Sequence, residues 1–162
     1  MLSKPMEQAL NKQINEELFS AYLYLAMAAY FEQANYRGMA SWMKVQFKEE
    51  MSHALKIFDY VHERGGAAKL LAIEQPKVTW TSPLAAFDAA LTHERSITKK
   101  IYALVDKAAG EKDHGTANFL QWYVKEQVEE EASVEPIMKQ LEAIGDHLGA
   151  LYHLDHQLGK RQ

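Results

Sequence analysis

Six polar residues stand where apolar ones are expected. Glu17, Glu50, His53, Glu94, Gln127 and Glu130 each fall on a 4-3 rhythm of otherwise apolar side chains; around Glu50 that rhythm runs through Met39, Met43, Phe47, Ala54, Ile57 and Val61. A bare carboxylate in a buried seam is strongly unfavourable unless it takes up a proton, pairs with a cation or binds a metal. His53 lies one helical turn beyond Glu50 on the same face. Glu50-x-x-His53 therefore offers one oxygen and one nitrogen to a common point, a donor pair suited to a transition metal, although Glu-x-x-His alone is a weak motif.

The spacing strengthens it. Glu17 and Glu50 are 33 positions apart, as are Glu94 and Gln127, and a second polar seam residue, His53 or Glu130, follows three positions later in each case. The chain thus reads as a quasi-duplicated helical hairpin whose polar seam residues converge at one height. The four carboxylates of Glu17, Glu50, Glu94 and Glu130 balance two divalent cations. Glu50, with one oxygen for each ion, would bridge them. His53 supplies nitrogen to only one ion, so the two sites should differ in affinity. Iron, manganese and zinc all suit this donor set. Acids taken singly lie on the surface of most proteins, but four in equivalent seam registers do not read as independent surface groups.

The elements that must position these residues are long helices. Ser3 caps the first ahead of Pro5, and Leu10, Ile14, Glu17, Ala21, Tyr24, Ala28 and Phe31 form its seam. Asn35-Tyr36-Arg37-Gly38 interrupts the pattern, and a second helix runs to about Arg64, before Gly65-Gly66. A helix of that length measures roughly 42 Å, the scale of a bundle, a coiled coil or a membrane span. Residues 65–82, with Pro76 and Val78-Thr79-Trp80, form a long crossover that lets the third helix start at the same end of a bundle as the second. Ser82-Pro83 opens that helix. Its inner face carries Phe87, Leu91, Glu94, Ile97, Ile101 and Leu104, and it ends near Gly110. After Gly110-Glu111-Lys112-Asp113 the fourth helix shows Leu120, Val124, Gln127, Glu130, Val134, Ile137 and Leu141 and ends at Gly145. A shorter amphipathic helix is predicted from Asp146 to about Leu158, too short to complete the bundle. The expectation is one all-α domain over residues 1–162: a four-helix bundle over about 4–143 with one long crossover, and a short fifth helix over about 146–158.

Composition narrows the function. A chain of 162 residues can bury about 68–70% of its unfolded surface without metal or disulfide staples. With no cysteine there is no disulfide framework, thiolate zinc site or cysteine-held iron–sulfur cluster. The amino terminus lacks a signal-peptide core and no apolar run could span a bilayer, so a soluble, cytoplasmic protein is expected with no membrane partner. A net charge of −4, from 22 acids against 18 bases, argues against a nucleic-acid partner and mildly favours cations.

The whole chain resembles a prokaryotic non-haem ferritin. Glu17, Tyr24, Glu49-Glu50-x-x-His53, Glu94 and Glu126-Gln127-x-x-Glu130 stand where that family has its ferroxidase residues. The general arrangement of ferritin-like di-metal carboxylate bundles is a Glu from each of two helices and Glu-x-x-His from each of the others, which this chain resembles apart from Gln127-x-x-Glu130 on the fourth helix. The resemblance implies a ferritin-like fold, two irons per subunit, oxidation of iron(II) by dioxygen or peroxide, and storage of ferric mineral in a homo-oligomeric shell of 24 subunits. It also implies a third iron site built from Glu49, Glu126 and Glu129 with Glu130 shared; as a bare pattern those acids read as a solvated helix face. Tyr24, two turns from Glu17, is placed to hydrogen-bond a ligand or donate an electron, where pattern alone gives a core tyrosine. Bacterioferritin, the haem-bearing relative, has a second Glu-x-x-His where this chain has Gln127-x-x-Glu130. Met51 stands at its haem-ligating position and reads as a packing residue, so haem is not expected. Animal ferritins carry acids near the start of the fourth helix that line three-fold pores; Ala117 and Leu120 stand there in this chain. His93 reads as pointing off the seam, and His153 and His156 as facing water. Two rival readings fit the same residues: a di-iron or di-manganese oxidase without storage, and a haem-bearing or purely structural helical assembly.

Overall fold

A computed structural model describes residues 1–161. It contains five helices: α1 Lys4–Gln33, α2 Arg37–Glu63, α3 Pro83–Gly110, α4 His114–Ile144 and α5 Leu148–Leu158. The starts of α1 and α3 follow cap chemistry. Ser3 Oγ accepts from Met6 N at 3.1 Å and Ser82 Oγ from Ala85 N at 3.1 Å, each just before a proline in the first turn, where the missing N–H costs nothing. Asp113 caps α4 in the same way, accepting from Thr116 N at 3.0 Å, and its carboxylate also pairs with Arg64 at the end of α2.

α1 packs against α2 and α3 against α4. The unstructured stretch between α2 and α3 brings the start of α3 to the end of the bundle where α2 starts, as the crossover reading predicts. Asn11 pins this stretch, donating to the Ala67 carbonyl at 2.9 Å and accepting from Lys69 N at 2.6 Å. Trp80 closes it, edge-on to Tyr30.

The apolar core is split in two. One cluster gathers the C-terminal half of α1, the start of α2, the start of α3, the end of α4 and the two buried leucines of α5. The other gathers the start of α1, the end of α2, the end of α3 and the start of α4. Between them lies a buried polar layer. The split follows from the sequence rhythm, because in all four long helices the polar seam residues fall near the middle.

Two details differ from the sequence reading. α4 buries Tyr123 and leaves Val124 half-buried, because the Tyr123 hydroxyl finds a partner in the His53 carbonyl at 2.7 Å. α5 begins at Leu148 rather than Asp146. Its cap is His147, whose Nδ1 accepts from Ala150 N at 3.1 Å, and histidine is not among the usual cap residues. Leu151 and Leu154 are the buried residues of α5, while Leu148 and Tyr152 are exposed.

Candidate metal centre

The polar layer is dry. Glu17, Glu50 and Glu94 are each 1% exposed, His53 2%, Gln127 2% and Glu130 4%. Each stands on a different turn of a long helix gripped above and below by apolar packing. Ligand atoms of Glu17, Glu50 and His53 lie within 4.8 Å of one another, and so do those of Glu50, Glu94 and Glu130. Glu50 belongs to both trios. A third group within the same limit joins His53, Glu126 and Glu130.

Hydrogen bonds orient the donors unevenly. Gln13 donates to Glu17 Oε1 at 2.8 Å, one turn away on α1. Gln46 on α2 reaches across the bundle to Glu130 Oε2 at 2.7 Å. Glu94 accepts from both sides, from the Tyr24 hydroxyl at 2.5 Å and from Gln127 Nε2 at 3.3 Å. Glu17 Oε2 and Glu50 Oε1, by contrast, are buried with no hydrogen-bond partner among the described residues. An orphaned carboxylate oxygen in a dry interior is unfavourable as it stands, and a divalent cation held between these two oxygens would satisfy both. The donor set therefore fits metal.

Electrostatics agree with the geometry. Burial pushes the Glu17 carboxyl up to about 7 against the hydrogen bond from Gln13, and Glu130 up to about 8, with Glu94 adding to the shift. Glu50 is raised well above the ordinary carboxylate range by burial and by the charges of Glu94 and Glu17. Glu94 is raised by burial, with Tyr24 and Gln127 opposing. His53 is lowered to about 4 by burial and by Lys56, which keeps its imidazole neutral and able to ligate at neutral pH. Tyr24 is held as the phenol, chiefly by burial.

The remaining residues singled out from the sequence are less enclosed. Glu126 approaches His53 Nε2 at 3.8 Å, with its side chain 26% exposed. Glu49 is half-buried and accepts from Arg161 Nη2 at 2.7 Å. Glu129 is largely exposed and pairs with Lys125 at 3.5 Å. His93 is turned towards α1, where its Nε2 lies 2.7 Å from Ser20 Oγ. His153 and His156 are exposed, and Met51 is half-buried. Gln13, Gln46 and Arg161 were missed by the motif reading. A signal for the glutamines exists: each stands four residues, one helical turn, before a seam acid of the first hairpin, Glu17 or Glu50.

A long four-helix bundle with an extended crossover and carboxylates meeting in its middle layer defines a ferritin-like protein. Residues 7–144 match the ferritin-like domain family, so the chain belongs to the ferritin family. Among curated relatives it is 44% identical to the bacterial non-heme ferritin of Bacteroides fragilis over 161 residues, covering 99% of this chain and 100% of that protein. It is 42% identical to the bacterial non-heme ferritin of Staphylococcus aureus, covering 99% and 97%. Among solved structures, an open pore ferritin from the hyperthermophilic archaeon Archaeoglobus fulgidus superposes with a TM-score of 0.99 at 53% identity, covering 100% of this chain and 99% of that one.

Proposed function

We propose that this protein is an iron-storing ferritin that oxidises iron(II) at a di-iron centre within each subunit and keeps the ferric product as mineral inside a hollow shell. The observation that carries this reading is the pair of ligand trios sharing Glu50. In it, Glu17, Glu50 and His53 take one iron(II) as substrate, and Glu50, Glu94 and Glu130 take the other. Each iron yields one electron to dioxygen or peroxide. Tyr24 holds Glu94 in place through Oε1 and is the residue read as an electron donor; Gln127 steadies Glu94 through Oε2. No haem is assigned to Met51.

A third, weaker iron is proposed on the inner side of the centre, held by Glu49, Glu126 and Glu129 with Glu130 shared. The position of Glu126 between His53 and Glu130 supports it. Replacing Glu49, Glu126 and Glu129 together by alanine should preserve binding of the first two irons and the first fast oxidation, while lowering iron stoichiometry and later turnover. Unchanged stoichiometry and multi-turnover rates in high salt would remove the third iron from the reading.

The shell is read as a homo-oligomer of 24 copies, with the chain as one domain of it and no nucleic-acid or membrane partner. Full-length likeness to ferritins supports this, as do the exposed apolar side chains of Tyr22, Leu25, Leu70, Leu71, Ile73 and Val78, which ask for a covering surface. No helix among the described residues is long and apolar enough to cross a membrane. A cytoplasmic location is proposed from the bacterial relatives. The deciding experiment is aerobic titration of metal-free protein with iron(II), followed by gel filtration with simultaneous iron and protein detection. Iron far in excess of three per chain, eluting with a very large particle, is expected; two per chain on a small particle would leave an oxidase without storage.

A further inference from the structure

The segment after α5 reaches Glu49, the neighbour in sequence of the shared residue Glu50. α5 docks on the start of α2 through backbone contact: a Cβ on Gly38 would lie 1.7 Å from the Asp155 carbonyl oxygen, so only glycine fits there. Asp155 Oδ1 also accepts from Met39 N at 2.8 Å, satisfying a first-turn amide of α2. From this anchor the chain continues along α2, and Arg161 lays its guanidinium over the Trp42 ring, 4.6 Å from the centroid. Its Nη2 donates to Glu49 Oε2 at 2.7 Å, while Nη1 is buried with no partner among the described residues. The positive charge is also felt at Glu130, where it opposes the upward shift of that carboxyl.

We propose that Arg161 is a tethered counter-cation that competes with metal for Glu49. Glu49 becomes a metal ligand only when Arg161 leaves it, so filling of the third site is coupled to the seating of the C-terminal turn on α2. This inference rests on the third-iron reading above and adds to it a residue that sets when that site opens. Sequence alone hides the device, because Arg161 lies 112 positions from Glu49 and belongs to no motif.

The test uses assembled, metal-free protein and zinc(II), which binds without redox chemistry, followed by isothermal titration calorimetry. Wild type should bind two tight ions and a weaker third per chain. Arg161→Gln should leave the two tight ions unchanged and tighten the third about two- to fivefold, the change expected from releasing one partly exposed ion pair. Arg161→Gln combined with Glu49→Gln should lose that gain, and Gly38→Ala, which displaces α5 while keeping Arg161, should reproduce it. The inference is overturned if Arg161→Gln binds the third ion as wild type does, if the gain survives the loss of Glu49, or if Gly38→Ala has no effect on the third ion. Loss of the two tight ions in wild type would instead overturn the di-metal reading itself, and this inference with it.

Discussion

The two hairpins of the bundle place equivalent polar residues at equivalent heights yet build unlike halves of one centre. In the α1–α2 half, Glu17 and Glu50 each keep a buried oxygen without a hydrogen-bond partner, and a neutral imidazole stands one turn beyond Glu50. In the α3–α4 half, both oxygens of Glu94 accept hydrogen bonds, Glu130 is held by Gln46, and glutamine replaces the acid that would correspond to Glu50. The difference teaches that helix geometry sets where ligands meet, while a few side-chain choices decide how readily each half accepts an ion. The first half, with nitrogen and unsatisfied oxygens, should be the tighter site; the second, all oxygen and already hydrogen-bonded, should be the weaker.

Removing Glu50 should abolish the comparison altogether, since both halves use it. Glu50→Ala is expected to slow initial iron(II) oxidation by about 100-fold or more, given that even outer partners of metal ligands cost roughly 10–100-fold. Stopped-flow rates equal to wild type would sink the bridging assignment. His53→Ala should act on one half only, weakening the tighter ion by about 10–100-fold while the all-oxygen site keeps its affinity. Calorimetric titration with zinc reads this directly, and equal weakening of both ions would contradict the division. Changing Gln127→Glu together with Glu130→His copies the first hairpin's pattern into the second. The two ions should then differ in affinity by less than about threefold, roughly the precision with which individual interactions transfer between contexts; a gap as wide as in wild type would show that the scaffold sets it.

The smallest expected effect is on stability. Burial raises Glu17 and Glu130 to about 7 and about 8 from an ordinary 4.5, so the folded metal-free protein holds more protons than the unfolded chain across that interval. Its stability is therefore full at acid pH below 4.5 and declines as pH rises through about 8. Bound divalent metal removes the decline, because it stabilises the ionised carboxylates and binds only the folded state. Melting temperatures of metal-free protein should fall from pH 5 to pH 8 by several degrees, ~1 kcal/mol being worth roughly 2–4 °C at this chain length. A flat profile without metal would mean that these acids are paired by something else.

Much of this was readable from residue order. The 4-3 seams, the serine caps before proline and the glycine stops locate four helices to within a residue or two, since these signals act over one or two turns. The two 33-residue intervals placed Glu17, Glu50, His53, Glu94, Gln127 and Glu130 in one layer because helix rise is constant. Contacts set by packing between distant segments were not readable. Arg161 meets Glu49 only because Gly38 lets α5 settle against α2. Gln46 meets Glu130 only because the two hairpins face each other. Tyr123 displaced Val124 from the core through a hydrogen bond to a backbone carbonyl that no periodicity reports.

The buried layer of raised carboxyl groups would make the proposed centre an ion exchanger. At neutral pH the metal-free protein carries protons on oxygens that metal would use, and burial keeps them there. Each entering divalent ion must expel protons, so uptake acidifies a weakly buffered solution before any electron moves. A pH-stat record of zinc addition without oxygen should show this acid, with Glu130's share lost as the starting pH rises through about 8. Uptake thereby limits itself, because the acid it releases returns protons to the oxygens that the next ion requires.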